Sequence, residues 1–354
     1  MSITTTILRS PVVAALTSPH GVDRYLEIVN PMWAAEEVRA KVVSVTRETQ
    51  AGAPVATIEL QTTKTWNGHL AGQYVQLGIE IEGARRTTRC FSVSSPESRR
   101  GDRITITLRA NPDGQVSKYL VEKAKPGTIV HLSQAAGDFT LPEPLPTHLV
   151  FISGGSGITP VMSMVRTLMR RGYGGTITFL HYAQSADHQI FAKELASLPP
   201  NVHRHLIYPE AGQGEFFTAE ALRELVPDFE TVDTWACGPA GLIDKVQAAY
   251  VASDKLRVEF FKPPMVATGN AEGDVTFTKA GKTAPNSGAS ILEQAEAAGL
   301  TPESGCRMGI CFSCVKNKPE GTVKNILTGE ESSLPDEQIR ICVSQPVGSC
   351  SIEL

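Results

Sequence analysis

Leu149-Val150-Phe151-Ile152-Ser153-Gly154-Gly155-Ser156-Gly157-Ile158-Thr159-Pro160 is the stretch whose reading decides the fold. Residues 149–153 read as a continuous apolar strand, of the kind buried on both faces in a parallel sheet. The glycines after it let the backbone approach a pyrophosphate, and Pro160 suits the first turn of a helix over 160–170. The match to G-x-G-x-x-G is loose, so the context of strand before and helix after carries the reading.

The same grammar continues downstream. Residues 176–182, 203–208, 234–237 and 258–261 read as strands, and 190–198, 218–225 and 240–251 as helices. Strands alternating with helices predict a parallel, doubly wound α/β domain over 147–261. A second glycine turn, Cys237-Gly238-Pro239-Ala240-Gly241, ends a later strand, and ligands of open parallel sheets bind at such ends. Gly154, Gly155, Gly157 and Thr159 of the first turn, and Cys237, Gly238 and Pro239 of the second, are therefore the candidate nucleotide-binding residues. Cys237 also reads as a small core side chain.

Upstream, a Pro-rich linker at 142–146 precedes this domain. Short alternating segments at 41–47, 55–61, 72–79, 104–110 and 128–132, with turn signals between them, predict an antiparallel β-barrel over 36–143. Two stretches in it carry chemistry. In Arg89-Cys90-Phe91-Ser92 an aromatic that can stack on a flavin ring lies between an Arg suited to phosphate and a Ser that can bond near flavin N5. The same four residues also read as a plain alternating strand. Gly114-Gln115-Val116-Ser117 opens a helix over 115–122, where backbone N–H groups and a hydroxyl can hold a pyrophosphate or simply cap the turn.

The third segment, 272–354, shows strands at 275–279 and 349–354, a helix over 289–297 and the loop Gly305-Cys306-Arg307-Met308-Gly309-Ile310-Cys311-Phe312-Ser313-Cys314. C-x4-C-x2-C followed by a distant cysteine is a [2Fe–2S] ligand pattern. Zinc loops usually come as two C-x2-C pairs, and only one is present here. Gly305, Gly309 and Ser313 are small enough to let N–H groups face the sulfurs. Four of the seven cysteines in this spacing argue for a reducing compartment rather than a disulfide framework.

The chain carries 33 Lys+Arg against 37 Asp+Glu, a net charge of −4, which speaks against a nucleic-acid partner. From Glu272 onward there are 11 acidic and 7 basic residues, so the whole surplus lies in the cysteine-rich segment. It serves solubility, or steers a basic redox partner. No apolar run approaches the ~20 residues of a membrane span, and residues 1–18 lack the charged start and apolar run of a signal peptide. Residues 1–35 read as an N-terminal arm with a short helix over 23–29.

The order of these motifs resembles the ferredoxin–NADP reductase superfamily. There an R-x-[YF]-S stretch and a later G-x-x-S hold the flavin. The resemblance assigns those roles to Arg89, Phe91, Ser92, Gly114 and Ser117, with Phe91 in place of the commoner Tyr. It places the C-G-P turn under the nicotinamide, with Cys237 and Ser92 as the catalytic candidates. In the similar plant-type ferredoxins the last ligand precedes a V-S-x-P turn. Cys342-Val343-Ser344-Gln345-Pro346 matches it, so Cys306, Cys311, Cys314 and Cys342 are the metal ligands and Cys350 is packing. Phe312 stands where the family more often has Gly and is expected to shield the cluster.

The domain order is that of phthalate dioxygenase reductase-like proteins and implies a β-grasp ferredoxin domain at 272–354. The stretch His20-Gly21-Val22-Asp23-Arg24-Tyr25-Leu26 and Asn30-Pro31-Met32-Trp33 look most like bacterial reductases of membrane stearoyl-CoA Δ9 desaturases. The implied cofactors are FAD, a [2Fe–2S] cluster and NADPH or NADH. The turn 183–187 holds no Lys or Arg for a 2′-phosphate, though Gln184 or Ser185 could bond one, and the resemblance leans to NADPH. The implied function is an NAD(P)H oxidoreductase that feeds electrons to a diiron fatty acyl-CoA desaturase. The implied location is cytoplasmic, or peripheral at the inner membrane through that partner. The alternatives are the reductase of a Rieske oxygenase, hydroxylase or P450, or a redox carrier or sensor with little turnover.

Overall fold

The computed structural model describes residues 8, 10–17, 21–49, 51–80, 87–111, 114–260, 271–304, 307, 309 and 312–354. Cys306, Cys311, Gly305, the turn residues Pro112 and Asp113, and the 262–264 linker lie outside the described residues. Two units are present, divided between Glu259 and Phe260.

The first unit begins with two short helices, α1 (Pro11–Thr17) and α2 (Val22–Val29). α2 is turned inside out. Its one buried residue is Asp23, while Tyr25, Ile28 and Val29 are exposed. The Asp23 carboxylate accepts backbone N–H groups from Ala35 (2.5 Å), Glu36 (2.9 Å) and Glu37 (2.6 Å). Arg39, fully buried, donates to the Asp23 carbonyl at 3.0 Å, to the Pro31 carbonyl at 2.9 Å and to Glu37 at 3.2 Å. Residues 22–39 are thus fastened to the sheet by polar bonds.

Six strands follow: β1 (Val38–Arg47), β2 (Val55–Thr62), β3 (Tyr74–Ile79), β4 (Thr87–Ser92), β5 (Arg103–Arg109) and β6 (Ile129–Leu132). They form one sheet in the order β4-β3-β6-β1-β2-β5, antiparallel at each neighbouring pair. A bridge between Val93 and Ile106 brings the end of β4 onto β5, so the sheet curls into a near-closed barrel. Alternate residues such as Val42, Ile58, Leu60, Val75, Leu77, Ile104 and Ile106 fill its interior. α3 (Gln115–Glu122) buries Val116 and Leu120 into the same core.

The nicotinamide-type domain has β7 (His148–Gly154), β8 (Thr176–Tyr182), β9 (Val202–Ile207), β10 (Thr234–Gly238) and β11 (Leu256–Phe260). The order is β11-β10-β7-β8-β9, with β10, β7, β8 and β9 parallel. The chain direction across the sheet therefore reverses between β7 and β10. Trp235, Phe151 and Phe179 sit in register across three strands, with centroids 5.7 and 6.3 Å apart. Helices α4 (Ile158–Arg170), α5 (Ala192–Ala196), α6 (Ala219–Leu225) and α7 (Ala240–Ala249) alternate with the strands. The helix expected over 190–198 shortens to α5 because Phe191 takes a left-handed φ of 58° and Pro199 stands beyond its end.

The second unit contains β12 (Asp274–Phe277), β13 (Lys282–Pro285), α8 (Ile291–Ala297), β14 (Val315–Lys318), β15 (Glu320–Asn325), β16 (Glu331–Ser332), β17 (Glu337–Arg340) and β18 (Ser344–Ile352). A five-stranded sheet has the order β13-β12-β18-β15-β16, with β12 and β18 parallel, and β14 pairs with β17. α8 starts in a capping box, Ser290 with Glu293, and packs Ile291, Leu292 and Ala295 into a core with Val275, Phe277 and Ile352. Two sequence expectations change here. β18 starts at Ser344 rather than 349, because pairing of 344–347 with β15 overrides the turn-like Gln345-Pro346. β13 has no apolar alternation to announce it, and its Pro285 is tolerated on an edge strand.

Candidate active site

Strand register brings the two glycine turns together. Cys237 lies opposite Ser153, and Ser153 opposite His181, at the C-terminal edge where the strand order reverses. A Cβ on Gly157 would overlap the Cys237 carbonyl, and one on Gly154 would stand 2.8 Å from Pro239 Cδ. The glycines thus let the two turns pack closely, Gly157 against the Cys237 backbone and Gly154 against Pro239. Gly155 takes a φ of 52° with open space where a side chain would be, so its backbone faces outward. Thr159 turns its hydroxyl inward to the Ser156 carbonyl at 3.0 Å and fixes the turn. His181 Nδ1 and Ser153 Oγ are 2.7 Å apart, and burial lowers the His181 pKa to about 3, so the imidazole is neutral.

Ser92, at the end of β4, donates to Glu259 Oε2 at 3.5 Å. Burial, with Glu259 adding to it, pushes the Cys237 thiol well above its usual range. Although Glu259 as a residue is only half-buried, its carboxylate is closely surrounded, and burial raises its pKa to about 8. A hydroxyl from β4 and a carboxyl from β11 therefore meet, the carboxyl holding its proton near neutrality, and the Cys237 thiol lies within reach of that carboxyl's field. A carboxyl of this kind carries no fixed charge near neutrality and offers an exchangeable proton. Glu259 is absent from the sequence reading. Its signal is an acid set inside the apolar run Val258-Glu259-Phe260.

The residues expected to hold flavin divide. α3 has glycine at its N-cap and so, among the described residues, no side-chain cap there. Ser117 Oγ is 3.1 Å from the Asn111 N–H that it accepts, and a Cβ on Gly114 would stand 2.7 Å from that oxygen. Arg109, just before this turn, has a buried Nε with no hydrogen-bond partner. A glycine-capped helix start and, a few residues earlier in the chain, an unsatisfied guanidinium N–H are groups that suit a pyrophosphate. On β4, Phe91 pairs with Val75 and packs half-buried against the barrel core, and alternation puts Cys90 and Ser92 on the opposite face. Arg89 donates to the Thr88 carbonyl at 2.8 Å.

Of the four expected metal ligands, Cys314 and Cys342 are described. Both are 2% exposed, and they flank the same end of the β14–β17 pair, where the Ile341 N–H donates to the Cys314 carbonyl at 3.3 Å. Arg307, Gly309 and Phe312 take left-handed φ values of 59°, 76° and 56°. Backbone of this left-handed kind, where it alternates with right-handed residues, is what anion-binding loops are built from. Arg307 pairs with Glu296 of α8, and Arg340 of β17 donates to the Gly309 carbonyl, so the loop is tied to a helix and to a strand. Phe312, expected as a shield, is 64% exposed with the Arg340 guanidinium 5.0 Å from its ring centre. Cys350 is buried in β18, in the same core as Cys314 and Cys342.

A flavin-type barrel joined to a nicotinamide-type sheet, with polar residues meeting at the switch point, defines a flavin- and nicotinamide-dependent oxidoreductase. The oxidoreductase FAD-binding domain family matches residues 42–141, and the oxidoreductase NAD-binding domain family matches 151–248. The chain belongs to the NAD(P)H oxidoreductases of the ferredoxin reductase type. It is 37% identical to an NADPH oxidoreductase of Mycobacterium tuberculosis (strain ATCC 25618 / H37Rv), over 97% of this chain and 91% of that one. It is 30% identical to the ferredoxin reductase component of a 3-ketosteroid-9-alpha-monooxygenase of Mycolicibacterium smegmatis, over 80% of this chain and 86% of the relative. The solved structure of phthalate dioxygenase reductase shares the fold, with a TM-score of 0.61 at 22% identity over 89% of this chain and 97% of that one.

Proposed function

We propose that the chain takes a hydride from NADPH near Ser92, Cys237 and Glu259 and delivers single electrons to an acceptor protein. FAD would supply the change from two electrons to one. Arg89, Phe91, Gly114, Ser117 and Arg109 would hold it, and Gly154, Gly155, Gly157, Gly238 and Pro239 would form the nucleotide site. A [2Fe–2S] cluster on Cys306, Cys311, Cys314 and Cys342, in a β-grasp ferredoxin domain, would be the exit. The observation that carries that exit is the buried pair Cys314 and Cys342 at one strand end, next to Arg307, Gly309 and Phe312 in left-handed backbone. The M. tuberculosis relative named as an NADPH oxidoreductase supports NADPH over NADH.

Two acceptors are weighed. The N-terminal stretch supports a membrane fatty acyl-CoA desaturase. Relatives named as reductase components of monooxygenases support an oxygenase instead, among them the glycine betaine monooxygenase reductase subunit of Pseudomonas aeruginosa. Among the described residues no helix is long and apolar enough to cross a membrane, so a desaturase would bring the membrane contact. The test is visible spectroscopy and iron and sulfide analysis of the purified protein, then NADPH-driven turnover with a desaturase, a Rieske oxygenase and a P450 in parallel. Absence of flavin absorbance would sink the reading of the barrel, and absence of iron and sulfide that of the cysteine loop.

A further inference from the structure

α4 grips the segment that follows Ser92 along most of its length. Ser163 Oγ, fully buried, donates to the Ser95 carbonyl at 2.6 Å. Arg166 Nη1 donates to the Ser94 carbonyl at 2.5 Å. Thr167 Oγ1 accepts the Glu97 N–H at 2.9 Å, and Arg170 donates to the Glu97 carbonyl. The helical repeat places 163, 166, 167 and 170 on one face. Arg166 is itself held on three sides. Its Nε and Nη2 fork onto Glu194 at 2.8 and 2.5 Å, and its guanidinium lies 4.4 Å from the Phe191 ring centre. The gripped segment is part of the barrel, since the Ser94 N–H donates to the Thr105 carbonyl of β5 at 2.8 Å. At its other end α4 grows out of the glycine turn that packs on the Cys237 carbonyl.

We propose that this clamp, centred on Ser163 and Arg166, sets the distance between the nicotinamide and the flavin, so that both are positioning residues for hydride transfer. The inference rests on the hydride-transfer reading above. One helix carries the nucleotide turn at its start and fixes the continuation of the Ser92 strand on its side. Short, directional bonds to backbone carbonyls resist the sliding that an apolar contact allows. A misplacement of about 1 Å can cost on the order of 10²-fold in rate.

The test compares wild type with Ser163→Ala, Arg166→Met and Arg166→Lys. Flavin reduction by NADPH, and separately by NADH, is followed anaerobically by stopped flow. The nicotinamide–flavin charge-transfer absorbance is recorded in the same traces, and amide exchange of residues 93–98 is measured without nucleotide. Ser163→Ala and Arg166→Met are expected to slow the limiting rate of reduction by about 10- to 100-fold. The concentration dependence should stay within about twofold, with a weaker charge-transfer band and faster exchange at 94–97. Arg166→Lys, which can reach Ser94 or Glu194 but not fork both, should fall between. Limiting rates within about twofold of wild type, or a loss confined to nucleotide affinity, would overturn the clamp. Should Arg166→Met fail to fold, Ser163→Ala decides alone. A wild type whose flavin neither nucleotide reduces overturns the functional reading and the clamp with it, whereas a reducible wild type with unchanged variants overturns the clamp alone.

Discussion

Replacing Glu259 by Gln should stabilise the protein at high pH and leave it unchanged at low pH. Gln keeps the size of the side chain and an oxygen for the Ser92 hydroxyl, and removes only the titration. The Glu259 pKa rises from 4.5 to about 8, chiefly by burial. Below pH 4.5 the folded and unfolded chains both hold the proton, and the carboxyl costs nothing. Between pH 4.5 and 8 the unfolded chain releases it while the folded chain retains it, so stability falls as pH rises, and above about 8 the loss is complete. At about 1.4 kcal/mol per pH unit the ceiling is about 5 kcal/mol. Glu259 is only half-buried as a residue, so water screens part of this and a measured difference of about 2–4 kcal/mol is expected. Urea unfolding of wild type and Glu259→Gln at intervals from pH 4 to 9 reads it. The two curves should coincide at the acid end, part through pH 5–8 and run parallel beyond. Curves that stay parallel from pH 4 upward would refute the buried, proton-holding carboxyl.

Cys314→Ser, at the fixed end of the loop, should abolish cytochrome c reduction while ferricyanide reduction survives at the flavin, and Cys350→Ser should keep both; loss of both activities in Cys314→Ser would contradict the order of electron flow. Gly157→Ala sets a methyl against the Cys237 carbonyl and should cost about 1–3 kcal/mol in urea unfolding, with weaker NADPH binding by titration. Asp23→Ala strips the acceptor from three backbone N–H groups; residues 22–37 should become protease-sensitive, a local loss of about 2–3 kcal/mol, with NADPH oxidation unchanged.

The parallel sheet was legible because its strands are buried on both faces and its turns need glycine. β7 and β8 fall within a residue or two of the apolar runs that announced them. The barrel strands were legible for the complementary reason, alternation against one core. Three things were not. Glu259 and Arg109 are chemistry-bearing residues with no motif around them, and only closure of the fold brings each beside its neighbours. Phe91 carries a family signature, yet its direction follows from pairing with Val75, a register that four residues of sequence do not contain. The grip of α4 reads as an ordinary helix face, because what it holds is backbone and backbone leaves no mark in the sequence.

Helix α2 shows how heat capacity can be separated from attachment. Its aspartate is already inside, while Tyr25, Ile28 and Val29 already meet water. Lifting it from the barrel exposes little further apolar surface, so the opening carries almost no heat-capacity change and little denaturant dependence. Hydrophobic contacts weaken on cooling, but this one has little hydrophobic term to lose. The N-terminal segment therefore opens with a nearly straight temperature dependence, separate from the curved dome of the domains it is bonded to.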